Sequence, residues 1–414
     1  MIDPVDAGKM VTLPALLATI RGRITPVQGL ERVALTAALG RVLGETVIAP
    51  RSLPAWDNAA MDGYAVAAAD TGQAEPRRLV LAGRAAAGAP WPGRLLIAGQ
   101  TVRILTGAPA PAGCAAVVIE EDCLTEANAV VVPAAIKPGS NLRRAGEDVV
   151  AGEPVLAAGH RLRPFEIGLL AALGRETITV HRRLRVAICS SGNELREPGT
   201  VAGEGAIFDA NRYLLHASLQ ELGCQVTDLG ILGDDREHIS AALAGAAADH
   251  DLLVTSGGMS LSEEDHLKAA FLAAGGEFSA WRAAIKPGKP VGVGHLGPAL
   301  FLGLPGNPAA VAVLFQLLVR PALGWLSGAS DGGAWPRVTV RAAFNLKRVA
   351  GRREYLNGQL MTDDDGATAV RLGSRQGSHV LSGLVRAEVL IEIGETVAAV
   401  RPGDPVAVLA LCPP

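Results

Sequence analysis

Three glycine-containing segments of the chain combine residue types that bind anions and metal ions. Each directly follows an apolar run that predicts a buried β-strand: residues 191–194 (SGNE), residues 256–265 (SGGMSLSEED) and residues 304–308 (LPGNP). Glycine lets backbone amides approach an anion, and free N–H groups at the start of a helix favour negative charge. Ligands of open α/β sheets bind beyond the carboxyl ends of the strands, so we expect these loops to meet. Taken singly, each segment is also compatible with a glycine turn capped by Ser, Asn or Asp.

Two acidic residues of these loops, Glu194 and Asp265, would then lie at the rim of an anion site. Carboxylates are repelled at such a site unless a cation lies between them and the anion. Mg²⁺ resolves this conflict, because it binds one or two carboxylates together with substrate phosphates. The pattern therefore predicts a Mg²⁺-dependent site for a phosphorylated ligand.

A short loop stiffened by proline and glycine, residues 285–290 (IKPGKP), carries two lysines, Lys286 and Lys289. Lysine is scarce in the rest of the chain, because only six of the 38 basic residues are lysines. The loop would present two ammonium groups at a fixed spacing, as an oxyanion such as phosphate requires. A solvated surface turn is the alternative.

Three segments nearer the N-terminus mix acids, amides and hydroxyls with glycine: residues 56–64 (WDNAAMDGY), residues 103–109 (RILTGAP) and residues 143–148 (RRAGED). Each one alone is better explained as an Asx turn, a helix cap or a surface ion pair.

The spacing of apolar residues indicates the elements that must position these segments. Residues 11–50 predict one or two short helices, the second with its apolar stripe in residues 30–38. Residues 79–150 carry short β-branched runs between glycines and prolines and predict a small β module. Residues 151–180 return to helical periodicity.

From residue 185 onward, predicted strands and helices alternate. The strands are residues 185–191, 225–232, 251–256 and 299–304, and the helices are residues 209–222, 236–249, 263–274 and 307–326. This alternation predicts a doubly wound parallel sheet. Residues 327–333 predict a linker, and the β-rich remainder predicts a small barrel or sandwich.

Length and composition exclude several classes of protein. A chain of 414 residues needs several domains, since single cores stop growing beyond roughly 250 to 300 residues. The net charge of −3 without a basic face excludes nucleic acid as a partner.

Five cysteines without metal-ligand spacing favour reduced thiols. The acidic N-terminal segment and the short apolar stretches, residues 104–119 and 307–319, predict neither export nor a membrane span, so we expect a soluble cytoplasmic protein.

Ten motifs, in order, resemble those of the MoeA-type molybdopterin molybdenumtransferases, molybdenum insertases related to the insertase domain of a plant cofactor-synthesis protein and to gephyrin. The motifs are PAWDNAAMDGYAV, VRILTGAPAP, NLRRAGEDV, SSGNEL, IFDANR, LGDD, SGGMSLSEEDH, IKPGKP, GLPGNP and GRREYLNG. The resemblance implies a multidomain α/β protein. Its domains would be a helical linking domain (residues 10–50 and 149–181), an inserted β-rich domain (51–148), a doubly wound molybdopterin-binding α/β domain (182–326) and a C-terminal β-barrel (334–414).

The resemblance also implies a reaction and partners. Molybdate would be inserted into adenylyl-molybdopterin, giving the molybdenum cofactor and AMP, with Mg²⁺ as the cation. The protein would be an elongated homodimer whose site lies where the α/β domain of one subunit meets the inserted domain of the other. Molybdopterin adenylyltransferase and the molybdoenzymes that accept the cofactor would be further partners.

Carried over position by position, the family's site residues are catalytic or substrate-binding, and two of the catalytic residues also hold the metal. The catalytic residues would be Asp57, Thr106, Asp148, Glu194 and Asp265, of which Glu194 and Asp265 would hold the metal. The substrate-binding residues would be Arg143, Ser191, Gly192, Asp234, Ser256, Gly257, Gly258, Lys286, Lys289, Pro305, Gly306, Asn307 and Pro308.

The chain departs from the family pattern at five positions. Asn193 stands for a usual Asp, Ser262 for Gly, His266 for Tyr, Ala310 for Ser and Glu388 for Asn. Glu194 and Asp265 are kept, which favours catalysis, whereas the charge lost at Asn193 predicts weaker or altered cation binding. A non-catalytic paralogue that binds or delivers the cofactor, and a scaffold that binds a partner's peptide, are the alternatives.

Overall fold

The computed structural model describes residues 10–259, 266–333 and 336–411. The first helix, α1 (Leu13–Arg23), has a proline in its first turn, where a missing backbone N–H costs nothing. Two short strands follow, β1 (Leu30–Ala34) and β2 (Val47–Ile48). The second helix predicted over residues 30–38 is therefore wrong. Residues 30–34 form a strand that pairs with residues 177–181, a partner that local periodicity does not reveal, and Leu35–Ala37 form only a short 3-10 helix.

The inserted domain is a β structure, as predicted. Its strands are β3 (Asn58–Ala59), β4 (Gly63–Ala67), β5 (Arg77–Ala85), β6 (Gln100–Ile104), β7 (Cys114–Ile119), β8 (Leu124–Thr125), β9 (Ala129–Val132) and β10 (Leu142–Arg143). Six of them form a sheet in the order β7-β4-β6-β5-β9-β8, and β3 pairs with β10. Alternate residues of β4 enter separate cores, Ala65 in one and Tyr64 in the other, because successive side chains of a strand point to opposite faces.

After the insertion, the chain returns to its first segment. The returning elements are β11 (Pro154–Leu156), α2 (Pro164–Ala172) and β12 (Thr177–His181). β12 pairs antiparallel with β1, and β11 pairs antiparallel with β2. A shared core that includes Leu43, Leu170 and Val180 holds the two stretches together as one linking domain.

The α/β domain follows the predicted alternation. Its elements are β13 (Arg185–Ser191), β14 (Leu195–Arg196), β15 (Ile207–Phe208), α3 (Asn211–Glu221), β16 (Gln225–Leu232), α4 (Arg236–Asp249), β17 (Leu252–Ser256), α5 (His266–Ala273), β18 (Glu277–Arg282), β19 (Ile285–Lys286), β20 (Pro290–Leu296), β21 (Ala299–Leu304), α6 (Pro308–Leu314) and α7 (Arg320–Leu326). Six strands form a sheet in the order β16-β13-β17-β21-β20-β18. The pairings among the first four strands are parallel, whereas β20 pairs antiparallel with both β21 and β18, so the sheet is mixed rather than wholly parallel.

Helices cover both faces of this sheet. One core contains residues of α3, α6 and α7 together with Leu16 of α1, and the other contains residues of α4 and α5, such as Leu243 and Phe271. α6 and α7 are joined by a π-helical turn (Phe315–Val319). The resulting segment, Pro308–Leu326, is longer than the apolar stretch considered from sequence, and it is long and apolar enough to cross a membrane. However, 78% of its apolar window is buried inside the protein, as in a core helix.

The C-terminal domain is a closed five-stranded barrel. Its elements are β22 (Arg337–Ala342), β23 (Leu346–Lys347), β24 (Arg353–Thr362), β25 (Thr368–Leu372), α8 (Leu381–Val385), β26 (Val389–Ile393), β27 (Ala399–Val400) and β28 (Pro405–Ala410). The barrel runs β24-β25-β22-β28-β26 and closes through pairing of β26 with β24. β19 of the α/β domain adds to β24 in parallel and places Lys286 opposite Glu354.

Candidate functional site

The loop after β13 folds the Glu194 carboxylate over a glycine. A Cβ atom added to Gly192 would lie 2.4 Å from Glu194 Oε2, so a larger residue would displace the carboxylate. The backbone N–H of Gly192 donates to the Leu232 carbonyl at 3.4 Å, which ties the loop to the end of β16. Glu194 itself is exposed. The loop therefore offers a carboxylate at the surface of the carboxyl edge of the sheet.

Asp234 joins this loop from the end of β16. Its Oδ2 accepts the backbone N–H of Asn193 at 3.1 Å, and its Oδ1 accepts the Ser191 hydroxyl at 3.5 Å. The structure thus brings together Ser191, Gly192, Glu194 and Asp234, all four of which were predicted as site residues.

The loops after β17 and β21 lie against the same point. The Gly257 N–H donates to the Leu304 carbonyl at 3.1 Å, and a Cβ on Gly257 would lie 2.3 Å from the Ser191 carbonyl oxygen. This close approach explains a glycine at 257, because any side chain would separate the loops. Gly258 lies beside the Ser191 hydroxyl, where its Cβ would be 3.4 Å away.

Asn211, at the start of α3, cross-links two of these loops. Its Nδ2 donates to Ser256 Oγ at 2.8 Å and to the Gly306 carbonyl at 2.7 Å. The Ser256 hydroxyl donates in turn to the Pro305 carbonyl at 3.3 Å. Asn211 lies in the IFDANR motif, but sequence reasoning gave it no role, because an asparagine at a helix start ordinarily indicates only a cap.

A cleft of about 440 Å³ adjoins these loops, between the α/β domain and the barrel. Lys286, Lys289, Pro305 and Asn307 line it from the α/β domain, beside Ala309 and Ala310 of α6. Arg352, Glu354, Tyr355, Asn357, Gln376 and Ser378 line it from the barrel. The barrel residues were missed, because only the pairing of β19 with β24 brings them to the lysines. Ala310 gives the cleft an apolar position where the family usually has a hydroxyl.

The two lysines of the cleft are held differently. Lys286 Nζ lies 2.7 Å from Glu354 Oε1, and Glu354 Oε2 lies 3.0 Å from Arg348 Nε. Lys286 is thus anchored by an ion pair at the end of a strand rather than placed in a free turn, while its side chain stays 53% exposed. Lys289 is also exposed. Together with Arg352, the lysines outnumber the one carboxylate among the described residues that line the cleft, so this lining carries a net positive charge.

A second group of predicted residues lies in the inserted domain. Asp57 accepts the backbone N–H of Ala145 at 2.8 Å and a guanidinium N–H of Arg144 at 2.6 Å. The hydrogen bond from Ala145 lowers the pKa of the Asp57 carboxyl most. Burial acts in the opposite direction, and Arg144 lowers the pKa further. Asp57 is therefore an ionised group that fixes the loop of residues 143–148.

Thr106 is fixed by an acid that sequence reasoning did not single out. Its N–H and its hydroxyl both donate to Asp62 Oδ1 at 2.7 Å. The neighbouring Gly107 N–H donates to Ala59, next to the pairing of Asn58 with Arg143. These contacts gather Asp57, Thr106 and Arg143 into one patch, in which Thr106 and Arg143 are exposed.

Asp148 is exposed and its backbone N–H donates to Leu53 at 3.0 Å, in the same domain. Within the described ranges of the chain, no hydrogen bond or ion pair joins this patch to the α/β-domain loops.

The metal site predicted from sequence lies only partly in the described chain. Glu194 is described, whereas Asp265, the other predicted ligand, lies outside the described residues, as does Ser262. Among the residues that the structure describes, no group of three or more His, Cys, Asp and Glu side chains could hold a metal ion.

Three family models match consecutive parts of the chain. Residues 11–174 match the MoeA N-terminal region, domains I and II. Residues 187–325 match a probable molybdopterin binding domain, and residues 339–411 match the MoeA C-terminal region, domain IV.

Full-length relatives are similar to this chain over nearly all of its length. A molybdopterin molybdenumtransferase of Haemophilus influenzae is 37% identical over 383 residues, covering 91% of this chain and 93% of the relative. Molybdopterin molybdenumtransferase 2 of Mycobacterium tuberculosis is 38% identical over 385 residues, covering 90% and 92%. The crystal structure of a molybdopterin biosynthesis MoeA protein of Pyrococcus horikoshii has a TM-score of 0.83 at 28% identity and covers 97% of this chain and 100% of that one.

Proposed function

The chain belongs to the MoeA family of molybdopterin molybdenumtransferases, which insert molybdenum into molybdopterin, and we propose that its substrates are adenylyl-molybdopterin and molybdate. In the proposed reaction, water cleaves the phosphoanhydride bond between the pterin phosphate and AMP. Two bonds form between molybdenum and the dithiolene sulfurs, while one oxygen of molybdate leaves as water with the two thiol protons. The products are the molybdenum cofactor and AMP.

The positively charged cleft is the observation that carries this proposal. Molybdate and phosphate are oxyanions, and Lys286, Lys289 and Arg352 supply cationic donors to a cleft of about 440 Å³. A partly desolvated cleft strengthens such contacts relative to water. The loop of Pro305 and Asn307 borders the same cleft, so an anion held by the lysines lies next to the strand-end loops.

Glu354 positions the lysine that it pairs with. It is buried, and its 2.7 Å contact with Lys286 aligns an otherwise flexible side chain. The second carboxylate oxygen lies 3.0 Å from Arg348 Nε, so the carboxylate is held from two sides. Lys286 therefore presents its remaining N–H donors to the cleft from a fixed position.

The donor chemistry at the sheet edge fits Mg²⁺. Glu194 is an exposed carboxylate beside the Asp234 loop, and Mg²⁺ takes one or two protein carboxylates while it keeps several waters and binds substrate phosphates. We assign its ligands as Glu194 and Asp265, the second from sequence only. The bound ion would neutralise phosphate charge at the bond that breaks.

The inserted-domain patch would complete the site from a second subunit. Within the described residues, Asp57, Thr106, Arg143 and Asp148 make no bonds to the α/β-domain loops of their own chain, and three of the four are exposed. A twofold dimer uses the same surfaces on both subunits and would generate two equivalent composite sites.

Binding of molybdate by the Lys286→Ala variant tests the role of the cleft. We expect molybdate affinity, measured by calorimetry, to fall about tenfold or more, because a charged hydrogen bond is worth roughly 1.5 to 3 kcal/mol. Lys137→Ala, which removes an exposed lysine of the inserted domain, is the matched control and should bind as the wild type does. Equal affinity in all three proteins would contradict the assignment of the cleft.

A further inference from the structure

A second pocket, of about 280 Å³, lies where the linking domain meets the α/β domain. Its basic lining residues are Arg41, Arg161, His181, Arg182, Arg183 and Arg320, and its acidic lining residue is Glu221. We call it the arginine pocket. It shares no lining residue with the cleft, and the proposed reaction uses none of its side chains.

Two of the five arginines are neutralised by carboxylates. Arg182 makes a bidentate ion pair with Asp251, at 2.7 and 2.8 Å. Arg41 pairs with Glu31. These two arginines therefore need no further anion.

Two others contact only neutral oxygens within the described part of the chain. Arg161 donates to the Gly40 carbonyl at 2.9 Å and to the Ser327 hydroxyl at 3.4 Å. Arg183 donates to the Gly223 carbonyl at 2.8 Å. Each guanidinium has five N–H donors, so both retain donors for a ligand.

Arg320, in α7, adds a third cation to the lining of the pocket. Burial lowers its pKa to about 10, and the nearby charge of Arg161 acts in the same direction, against Glu221 and Asp331. Arg320 stays protonated at neutral pH. Glu221 lies near Arg320 and offsets part of its charge, so the donors left for an anion are chiefly those of Arg161 and Arg183.

We propose that the arginine pocket binds a phosphate group, either as inorganic phosphate or as part of a nucleoside monophosphate. The planar guanidinium fork matches two phosphate oxygens at once, which gives arginine its preference for this anion. Residues 39–42 and Arg161 form one wall, and residues 221–224 and α7 form the other, so bound phosphate joins two domains. This site is separate from molybdenum insertion and does not rest on the proposed reaction.

Hydrogen exchange and thermal melting of the full chain, with phosphate titrated at constant ionic strength, test the proposal. We expect a saturable rise in Tm and slower exchange in residues 39–42, 181–184 and 221–224. Arg161→Gln and Arg183→Gln should each weaken phosphate binding about tenfold, since each loses a charge-assisted hydrogen bond. Arg84→Gln, at an exposed arginine of the inserted domain, is the control and should bind normally. Parallel titration with AMP distinguishes the sources, because protection by phosphate but not AMP identifies inorganic phosphate.

Three results would overturn the proposal. The first is a Tm that does not respond to either anion. The second is protection confined to residues 285–290 and 352–357, which would place the anion in the cleft. The third is that both pocket variants lose stability equally with and without phosphate while affinity is unchanged, as expected if the arginines only cap carbonyl groups. Because turnover is not measured, none of these results depends on the molybdenum-inserting activity.

Discussion

Asn193 and Asp234 hold each other through two reciprocal hydrogen bonds. The Asp234 backbone N–H donates to Asn193 Oδ1 at 3.2 Å, and the Asn193 backbone N–H donates to Asp234 Oδ2 at 3.1 Å. An aspartate at position 193 could accept the first bond equally well. The departure from the family's usual Asp therefore changes the charge beside Glu194 and leaves the shape of the loop intact.

Restoring that charge should tighten cation binding. In Asn193→Asp, we expect the Mg²⁺ concentration for half-maximal AMP release to fall about fivefold, since one added charge near an exposed site is worth roughly 1 kcal/mol. Asn193→Ala is the control, because it removes the bond from Asp234 without adding charge, and it should not lower the Mg²⁺ requirement. An unchanged requirement in Asn193→Asp would mean that Glu194 and its neighbours do not face the cation.

The two partners of the Lys286–Glu354 ion pair should contribute unequally to stability. Glu354 and Arg348 are each 6% exposed, so Glu354→Gln leaves a buried guanidinium without its carboxylate and should lower the free energy of unfolding by about 3 kcal/mol. Lys286 is 53% exposed, and Lys286→Ala should cost less than about 1 kcal/mol. Urea unfolding of both variants measures the difference. A larger loss in Lys286→Ala would make that lysine a structural residue rather than a ligand-binding one.

Local sequence patterns predicted the strand-end loops but not the contacts that fix them. β13, β16, β17 and β21 are apolar runs that end in glycine or polar residues, and their parallel order brings the predicted loops together. By contrast, Glu354 is far from Lys286 in sequence, and only the pairing of β19 with β24 makes them neighbours. The mistaken helix over residues 30–38 has the same cause, because its strand partner follows the whole inserted domain.

The linking domain should lose stability in acid through Glu166. Bonds from Arg163, aided by His160, lower the pKa of Glu166 to about 2 from its ordinary value of 4.5. A lowered pKa in the folded state stabilises the protein above pH 4.5, and this contribution disappears as the pH falls toward 2. Glu166→Gln should therefore be less stable than wild type at neutral pH by roughly 1 to 2 kcal/mol, discounted because Arg163 is exposed.

Denaturant unfolding from neutral pH to pH 2 measures the difference in free energy of unfolding between Glu166→Gln and wild type. Glu176→Gln, at an exposed glutamate beyond α2, is the matched control and should follow the wild type. If the free energies of unfolding of Glu166→Gln and wild type differ by the same amount down to pH 2, the contribution of Glu166 to stability is not electrostatic.

If each site is shared between two subunits, two variants that are each impaired alone should complement each other. At limiting molybdate, Asp148→Asn and Lys286→Ala should each release little AMP alone, but a mixed dimer would have one site that carries neither change. Random reassociation should therefore restore about a quarter of wild-type AMP release, since half of the dimers are mixed and each has one intact site. If the mixture stays inactive while native mass spectrometry shows mixed dimers, the two clusters act within one chain.

The most direct test of molybdenum insertion by this protein is the coupled release of AMP and formation of the molybdenum cofactor. Purified protein is incubated with adenylyl-molybdopterin and Mg²⁺, with and without molybdate, and both products are measured in the same sample. We expect AMP and cofactor to appear together in equal amounts and only when molybdate is present. Retention of intact adenylyl-molybdopterin, with no AMP released after molybdate is added, would contradict it and identify a protein that binds or delivers the cofactor without making it.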